Sequence, residues 1–148
     1  MTNRALLVVD MQNGFCHPDG SFPRIGMGLD GAEAAVSNAA VAVAQARRAA
    51  IPVVFTRHLY RPGRADEGQA LKQNSPALAG LDVRELVVCG VVTNLCVETT
   101  VRSAFMRDFP VTLLADCCAA KTRRLHELSI EVLTSYELAE MARTEDDD

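Results

Sequence analysis

A chain of 148 residues in which 49% of the side chains are hydrophobic can bury one sizeable core and hardly two, so a single domain over residues 1–148 is expected. The net charge of -4, with basic and acidic residues interspersed, offers no continuous positive surface for a phosphate backbone, so no nucleic-acid partner is expected. No stretch reaches the roughly 18 apolar residues that span a bilayer, and Asp10 interrupts the apolar start too early for a secretory leader; no membrane partner is expected, and the cytoplasm is the expected compartment.

In chain order, short β-branched runs alternate with longer segments of helical period, the pattern of parallel strands joined by crossover helices. "RALLVVD" (4–10) is apolar nearly throughout, as a strand covered on both faces is. Over 31–50, Val36, Ala39, Ala40, Val43, Ala46 and Ala50 recur at steps of three and four, and Arg47 and Arg48 stand near the end, where the helix dipole favours cations. The spacing predicts a helix that Pro52 ends. "VVFTR" (53–57) reads as a second strand, "RPGRADEGQ" (61–69) as a loop, and "ELVVCGV" (85–91) as another buried strand. A second helix is expected from near Asn94, with Val97, Val101, Ala104 and Phe105 on one face. "VTLLAD" (111–116) is a further strand, Leu125, Leu128 and Val132 mark a third helix, and the tail "ARTEDDD" (142–148) is expected to be frayed and solvated. The pattern is that of an α/β fold with a doubly wound, mostly parallel sheet and helices on both faces. Such sheets take their ligands outside the carboxyl ends of the strands.

Reactive side chains fall at those ends. Asp10 closes the first strand, where a turn or helix-cap role is the plainer alternative. Five cysteines, two of them adjacent, make an odd set in a chain expected to be cytoplasmic, so a disulfide framework is not expected. Cys89 lies within a strand and Cys117 and Cys118 follow one, and packing accounts for all three. Cys96 differs by position. In "CGVVTNLCVETTV" (89–101) it comes a short turn after a buried strand, at the start of the next helix. Unpaired backbone N–H groups and the helix dipole lower a thiol's pKa there, against the alternative of an inert core thiol. A thiol nucleophile needs a base. None of the three histidines, His17, His58 and His126, is tied to Cys96 by spacing. Asp10 is better placed, because the first strand of a doubly wound sheet is central and lies beside the strand leading to Cys96. A lysine would supply a cation beside the pair, and thirteen of the fifteen basic residues are arginine, leaving Lys72 and Lys121.

"LLVVDMQNGFCHPDGSF" (6–22), "LVVCGVVTNLCVETTVRSAF" (86–105) and "VTLLADCCAAKTRRLHELSIEVL" (111–133) together resemble the isochorismatase-like cysteine hydrolases, the family that also holds nicotinamidases and N-carbamoyl amidohydrolases. The resemblance implies a six-stranded, three-layer α/β/α fold and a catalytic triad of aspartate, lysine and cysteine. Position by position it implies that Asp10 is the aspartate, that Cys96 is the nucleophile, and that the Gly90–Thr93 turn contains a non-proline cis peptide. It further implies an oxyanion hole made by the backbone N–H groups of Val92 and Cys96. Lys72 is the best match to the lysine, through "KQNS", yet the segment "LKQNSPALAGLDVRELVV" is too short for the Ser-Ala-Phe-like turn and short helix that the family carries there.

Nicotinamidases of this family hold a metal ion through an Asp-x-His pair and a further histidine. Here "FTRHLYRPG" places Arg57 where the pattern wants an acid, so His58 is read as a pocket-wall or structural residue and no metal is expected. Without a Gly-x-Gly-x-x-Gly turn no dinucleotide is expected either, and the site is read as cofactor-free. Phe15, Phe22, His58 and Tyr60, with Asn94 in the cysteine turn, are the expected substrate-binding residues, a set suited to a small molecule. The expected reaction is hydrolysis of an amide, ureido or carbamoyl bond through an acyl-thioenzyme. Vinyl-ether hydrolysis of the isochorismatase type, or a catalytically silent binding protein, are the alternatives. The resemblance also implies a homo-oligomer, a dimer or tetramer.

Overall fold

The computed structural model describes residues 3–59 and 82–144. Lys72, Tyr60 and the 61–69 segment lie outside the described residues. Strand β1 (Arg4–Val9) is buried from Ala5 onward, because a parallel strand covered on both faces can expose neither side of its pleat. It pairs in parallel with β2 (Val53–Phe55) on one side and β3 (Glu85–Val91) on the other. Strands β4 (Val111–Ala119) and β5 (Glu140–Ala142) extend the sheet in the order β2-β1-β3-β4-β5. The described residues thus form five parallel strands where six were expected. β5 is the one that periodicity missed, since three residues are too few to show a period.

Two short helices, α1 (Asn13–Cys16) and α2 (Ser21–Arg24), and the long α3 (Ala32–Arg48) lead from β1 to β2. A π-helical turn, Thr93–Val97, runs directly into α4 (Glu98–Phe105) between β3 and β4, and α5 (Arg123–Ser135) joins β4 to β5. The crossovers run outward in opposite directions from the β1–β3 pair. With right-handed connections this sets α3 on the opposite face of the sheet from α4 and α5, and makes the carboxyl ends of β1 and β3 the switch point of the fold. No helix among the described residues is long and apolar enough to cross a membrane.

Helix α3 buries Ala35, Ala39, Ala42 and Ala46 rather than the stripe through Val36 and Ala50. The small methyl groups let the helix lie close to the sheet, and Val36 is left 40% exposed. Helix α5 also turns a different face inward. Leu125 and Leu128 are exposed, whereas Ser129 and Leu133 are buried, because polar groups at 126 and 129 find partners under the helix. Thr144 in the tail is buried and donates its backbone N–H and hydroxyl to the Asp116 carboxylate.

At Gly90 the chain needs glycine. Its φ of 131° is a conformation that side chains resist, and a Cβ there would run into the Val9 carbonyl oxygen and backbone nitrogen of the neighbouring strand. The close approach holds the end of β3 against the end of β1, where Val9 and Gly90 are register partners.

The inward face of α5 is measurable. Leu133→Ala should cost about 2–5 kcal/mol of unfolding free energy, as truncation of a fully buried leucine does, while Leu128→Ala should stay within about 1 kcal/mol. Urea titrations of the two variants decide it, and equal losses would contradict the orientation.

Candidate active site

Asp10 follows the last residue of β1, and Cys96 follows β3 by five residues, so the parallel register that pairs Val9 with Gly90 delivers both to one place. Asp10 is 7% exposed and has a φ of 48°, a left-handed conformation that aspartate tolerates better than most residues. Thr56, just past the end of β2, secures it. The Asp10 backbone N–H donates to Thr56 Oγ1 at 3.1 Å, and the Thr56 hydroxyl donates to Asp10 Oδ1 at 2.7 Å. The sequence reading passed over Thr56; its signal is a small hydroxyl residue at the carboxyl end of the strand beside β1.

The Cys96 thiol is hydrogen-bonded to the Asp10 side chain, and the backbone N–H groups of Val92 and of Cys96 itself are directed at the same sulfur. The peptide between Val91 and Val92 is cis, within the expected Gly90–Thr93 turn. One expectation is reversed. A helix start was expected to lower the thiol pKa, whereas burial first, and then the hydrogen bond and negative charge of Asp10, push it up to about 11, outweighing the two amides that pull it down. The shift favours the neutral thiol at rest.

The other four cysteines are also free. Cys117 makes an instructive contrast, since its sulfur lies 3.7 Å from the Asp116 carboxylate yet is 0% exposed. Burial pushes its thiol far above the ordinary range, as it does that of Cys89. A thiol beside an aspartate is common to both places; of the two, Cys96 is half-buried and Cys117 buried.

The turn is held from below by α5. Thr93, fully buried, places its Oγ1 2.9 Å from His126 Nδ1. Ser129 Oγ donates to Glu98 Oε2 at 2.6 Å and lies 3.5 Å from the Thr93 carbonyl oxygen, while Arg102 holds Glu98 Oε1 at 2.8 Å. His126 thus reaches the cysteine turn at Thr93 and not at the sulfur. Burial holds its imidazole below the ordinary 6.5, with Glu127 opposing and Arg123 adding to the shift.

Beside the Val91–Val92 turn, Phe15 packs edge-on against Phe22 with ring centroids 4.4 Å apart, and its centroid lies 6.2 Å from that of the His58 ring. Gln12 clamps the His58 backbone, donating to its carbonyl at 3.2 Å and accepting from its N–H at 2.6 Å. Asn94 Oδ1 is buried and has no hydrogen-bond partner among the described residues. Phe15 and His58 are therefore together, and Asn94 lies two residues before Cys96; Lys72 and Tyr60 fall outside the described residues. Among the described residues no three His, Cys, Asp or Glu side chains converge to hold a metal ion. A concavity of about 640 Å³ lined by Glu85, Phe109, Val111, Leu138 and Glu140 opens at the amino ends of β3, β4 and β5, the opposite end of the sheet from Asp10 and Cys96.

Residues 4–79 and 74–146 match the family model for the isochorismatase domain. The chain is 29% identical to nicotinamidase 3 of Arabidopsis thaliana over 167 aligned positions, covering 85% of this chain and 78% of that protein. It is 26% identical to the ureidoacrylate amidohydrolase RutB of Methylobacterium radiotolerans, covering 88% of this chain and 73% of that protein. The fold is that of a cysteine hydrolase from Pseudomonas syringae pv. phaseolicola, with a TM-score of 0.79 at 23% identity over 97% of this chain and 90% of that one. The alignment of 167 positions is longer than the chain itself, so the plant relative carries residues that this chain lacks. The two family-model segments overlap at 74–79, beside Lys72, which is where the sequence departs from the family's spacing.

The His126 environment makes a stability prediction with a definite sign. Its folded-state pKa lies below the 6.5 of the free side chain, so as pH falls through 6.5 the unfolded chain takes up the proton first and the folded state loses ground. The loss ends once pH passes the lower folded-state value. The urea midpoint of the wild type should therefore drop relative to that of His126→Asn as pH falls through 6.5; a difference that stays constant across the acid range would contradict the burial of the neutral ring.

Proposed function

The chain belongs to the isochorismatase family of hydrolases, and from that premise we propose that it is a cysteine amidohydrolase acting on a small amide, ureido or carbamoyl substrate. The observation that carries the reading is the convergence of the Asp10 carboxylate and the N–H groups of Val92 and Cys96 on one accessible sulfur. The names of the relatives, a nicotinamidase and a ureidoacrylate amidohydrolase, support amide C–N bonds as the target.

In this mechanism the Cys96 thiol gives its proton to Asp10 as the sulfur attacks the substrate carbonyl carbon. The carbonyl oxygen becomes an oxyanion facing the Val92 and Cys96 N–H groups, each of which contributes about a hundred- to a thousandfold if the donors of other acyl-transfer sites are a guide. Asp10 then passes the proton to the departing nitrogen, the C–N bond breaks, and an acyl-thioenzyme remains. Water attacks it, gives a proton to Asp10, and the C–S bond breaks as the sulfur takes a proton back. A thiol raised to about 11 suits this course: no thiolate waits at rest, so the base must act in the same step as the attack. Thr56 orients that base. Lys72 is proposed as the cation that steadies the charged pair, on its sequence motif alone. Phe15, His58, Tyr60 and Asn94 are proposed as the pocket that takes the small substrate.

The pH profile of Cys96 alkylation by iodoacetamide tests the Asp10 role. In the wild type the rate should be level across the neutral range, because the carboxylate takes the proton in the step of attack, and should rise toward pH 11 as the thiol itself ionises. Asp10→Asn should abolish the level region and leave a rate that falls roughly tenfold per unit as pH drops. Ammonia release from nicotinamide, N-carbamoyl amino acids and ureidoacrylate should fall about a hundred- to ten-thousandfold in the same variant. A wild-type profile without the level region, or pyruvate released from isochorismate with no ammonia from any amide, would overturn the reading.

A further inference from the structure

The turn from Val91 to Val97 carries everything that the proposed mechanism uses from β3: the Val92 N–H, the Cys96 N–H and the sulfur. Thr93 lies inside it, next to Val92 and one helical turn before Cys96. Its side chain is fully buried, and a valine would fill the same space without a hydroxyl to satisfy. The hydroxyl meets His126 Nδ1 at 2.9 Å, across 33 residues of sequence and from a different helix.

That helix is itself fixed. Thr122 caps α5 by accepting the Leu125 N–H at 3.2 Å, and Asp30 accepts the Arg123 N–H at 3.2 Å. Ser129, one turn beyond His126, is tied to Glu98 at the start of α4. The imidazole is thus a short arm on a braced support, and its neutral form carries one donor and one acceptor, so a bond to the Thr93 hydroxyl forms in either tautomer.

We propose that His126 is a positioning residue, holding Thr93 through Nδ1 and, through Thr93, the alignment of the Val92 and Cys96 N–H groups and the Cys96 sulfur with Asp10. It does not touch the reacting atoms. The proposal rests on the reading of Cys96 as the nucleophile, and gives the chain's third histidine a task that spacing from Cys96 does not suggest.

The test measures the alkylation rate of Cys96 at neutral pH by iodoacetamide and peptide mapping on the full chain, with kcat and KM on any amide found to be cleaved. His126→Leu and Thr93→Val, which removes only the hydroxyl, should each slow alkylation about tenfold and lower kcat with KM unchanged. The double variant should be no slower than either alone, since both break one link. His126→Asn, whose amide reaches the place of Nδ1, should recover to within about threefold of wild type. Thermal unfolding of each variant identifies any that fails to fold, and Thr93→Val and His126→Asn keep the test open if His126→Leu does. Wild-type rates in His126→Leu and Thr93→Val, multiplying losses in the double variant, or His126→Asn as slow as His126→Leu would each overturn the positioning role. Wild-type Cys96 reacting no faster than Cys16 would instead overturn the nucleophile reading, and this proposal with it.

Discussion

The parallel pairing of β1 with β3 decides where everything else can stand. Its last register pair, Val9 with Gly90, brings two backbones so close that only a glycine fits. From that contact Asp10 continues one chain and the Val91–Cys96 turn continues the other. The site is therefore a consequence of strand order: two strands adjacent in the sheet but far apart in sequence end side by side, and the crossovers leaving them in opposite directions open a crevice over their ends. The third strand of the group, β2, supplies Thr56, which holds the carboxylate that β1 presents.

Burial sets the chemistry of the pair. Removing the sulfur from water favours the uncharged thiol, and a carboxylate beside it does the same, while two backbone amides favour the anion. The first two prevail. An enzyme built on a standing thiolate would want a cation or bare helix terminus to dominate; among the described residues burial and the carboxylate outweigh the amides. The amides that lose this contest at rest are the groups that would gain most once negative charge moves from the sulfur to a carbonyl oxygen, and such differential stabilisation lowers a barrier.

What the sequence made legible follows from which forces leave a trace in hydrophobic pattern. The strands β1, β3 and β4 could be read because burial on both faces writes a continuous β-branched run, and Asp10 and Cys96 could be read because they interrupt or follow such runs. The resemblance to a known family supplied the roles of Val92 and Cys96 as backbone donors, which no side chain betrays. The inward face of α5 leaves little trace in apolar spacing, because Ser129 and His126, polar residues, lie on it and periodicity counts only apolar ones. The expected fraying of the tail fails at Thr144 for the same reason, since its anchor is the carboxylate of Asp116. The Thr56–Asp10 and Thr93–His126 links leave no mark in hydrophobic pattern: each joins polar side chains on segments more than thirty residues apart.

The central claim is that Cys96 forms a covalent bond with the carbonyl carbon of an amide substrate. Acid quenching within the first turnovers on a cleaved amide, followed by peptide mass mapping, tests it most directly. The account predicts an acyl mass on the peptide bearing Cys96 and on no other cysteine. Turnover that continues after Cys96→Ala, or an acyl group found on Cys16, Cys89, Cys117 or Cys118 with Cys96 unmodified, would contradict it.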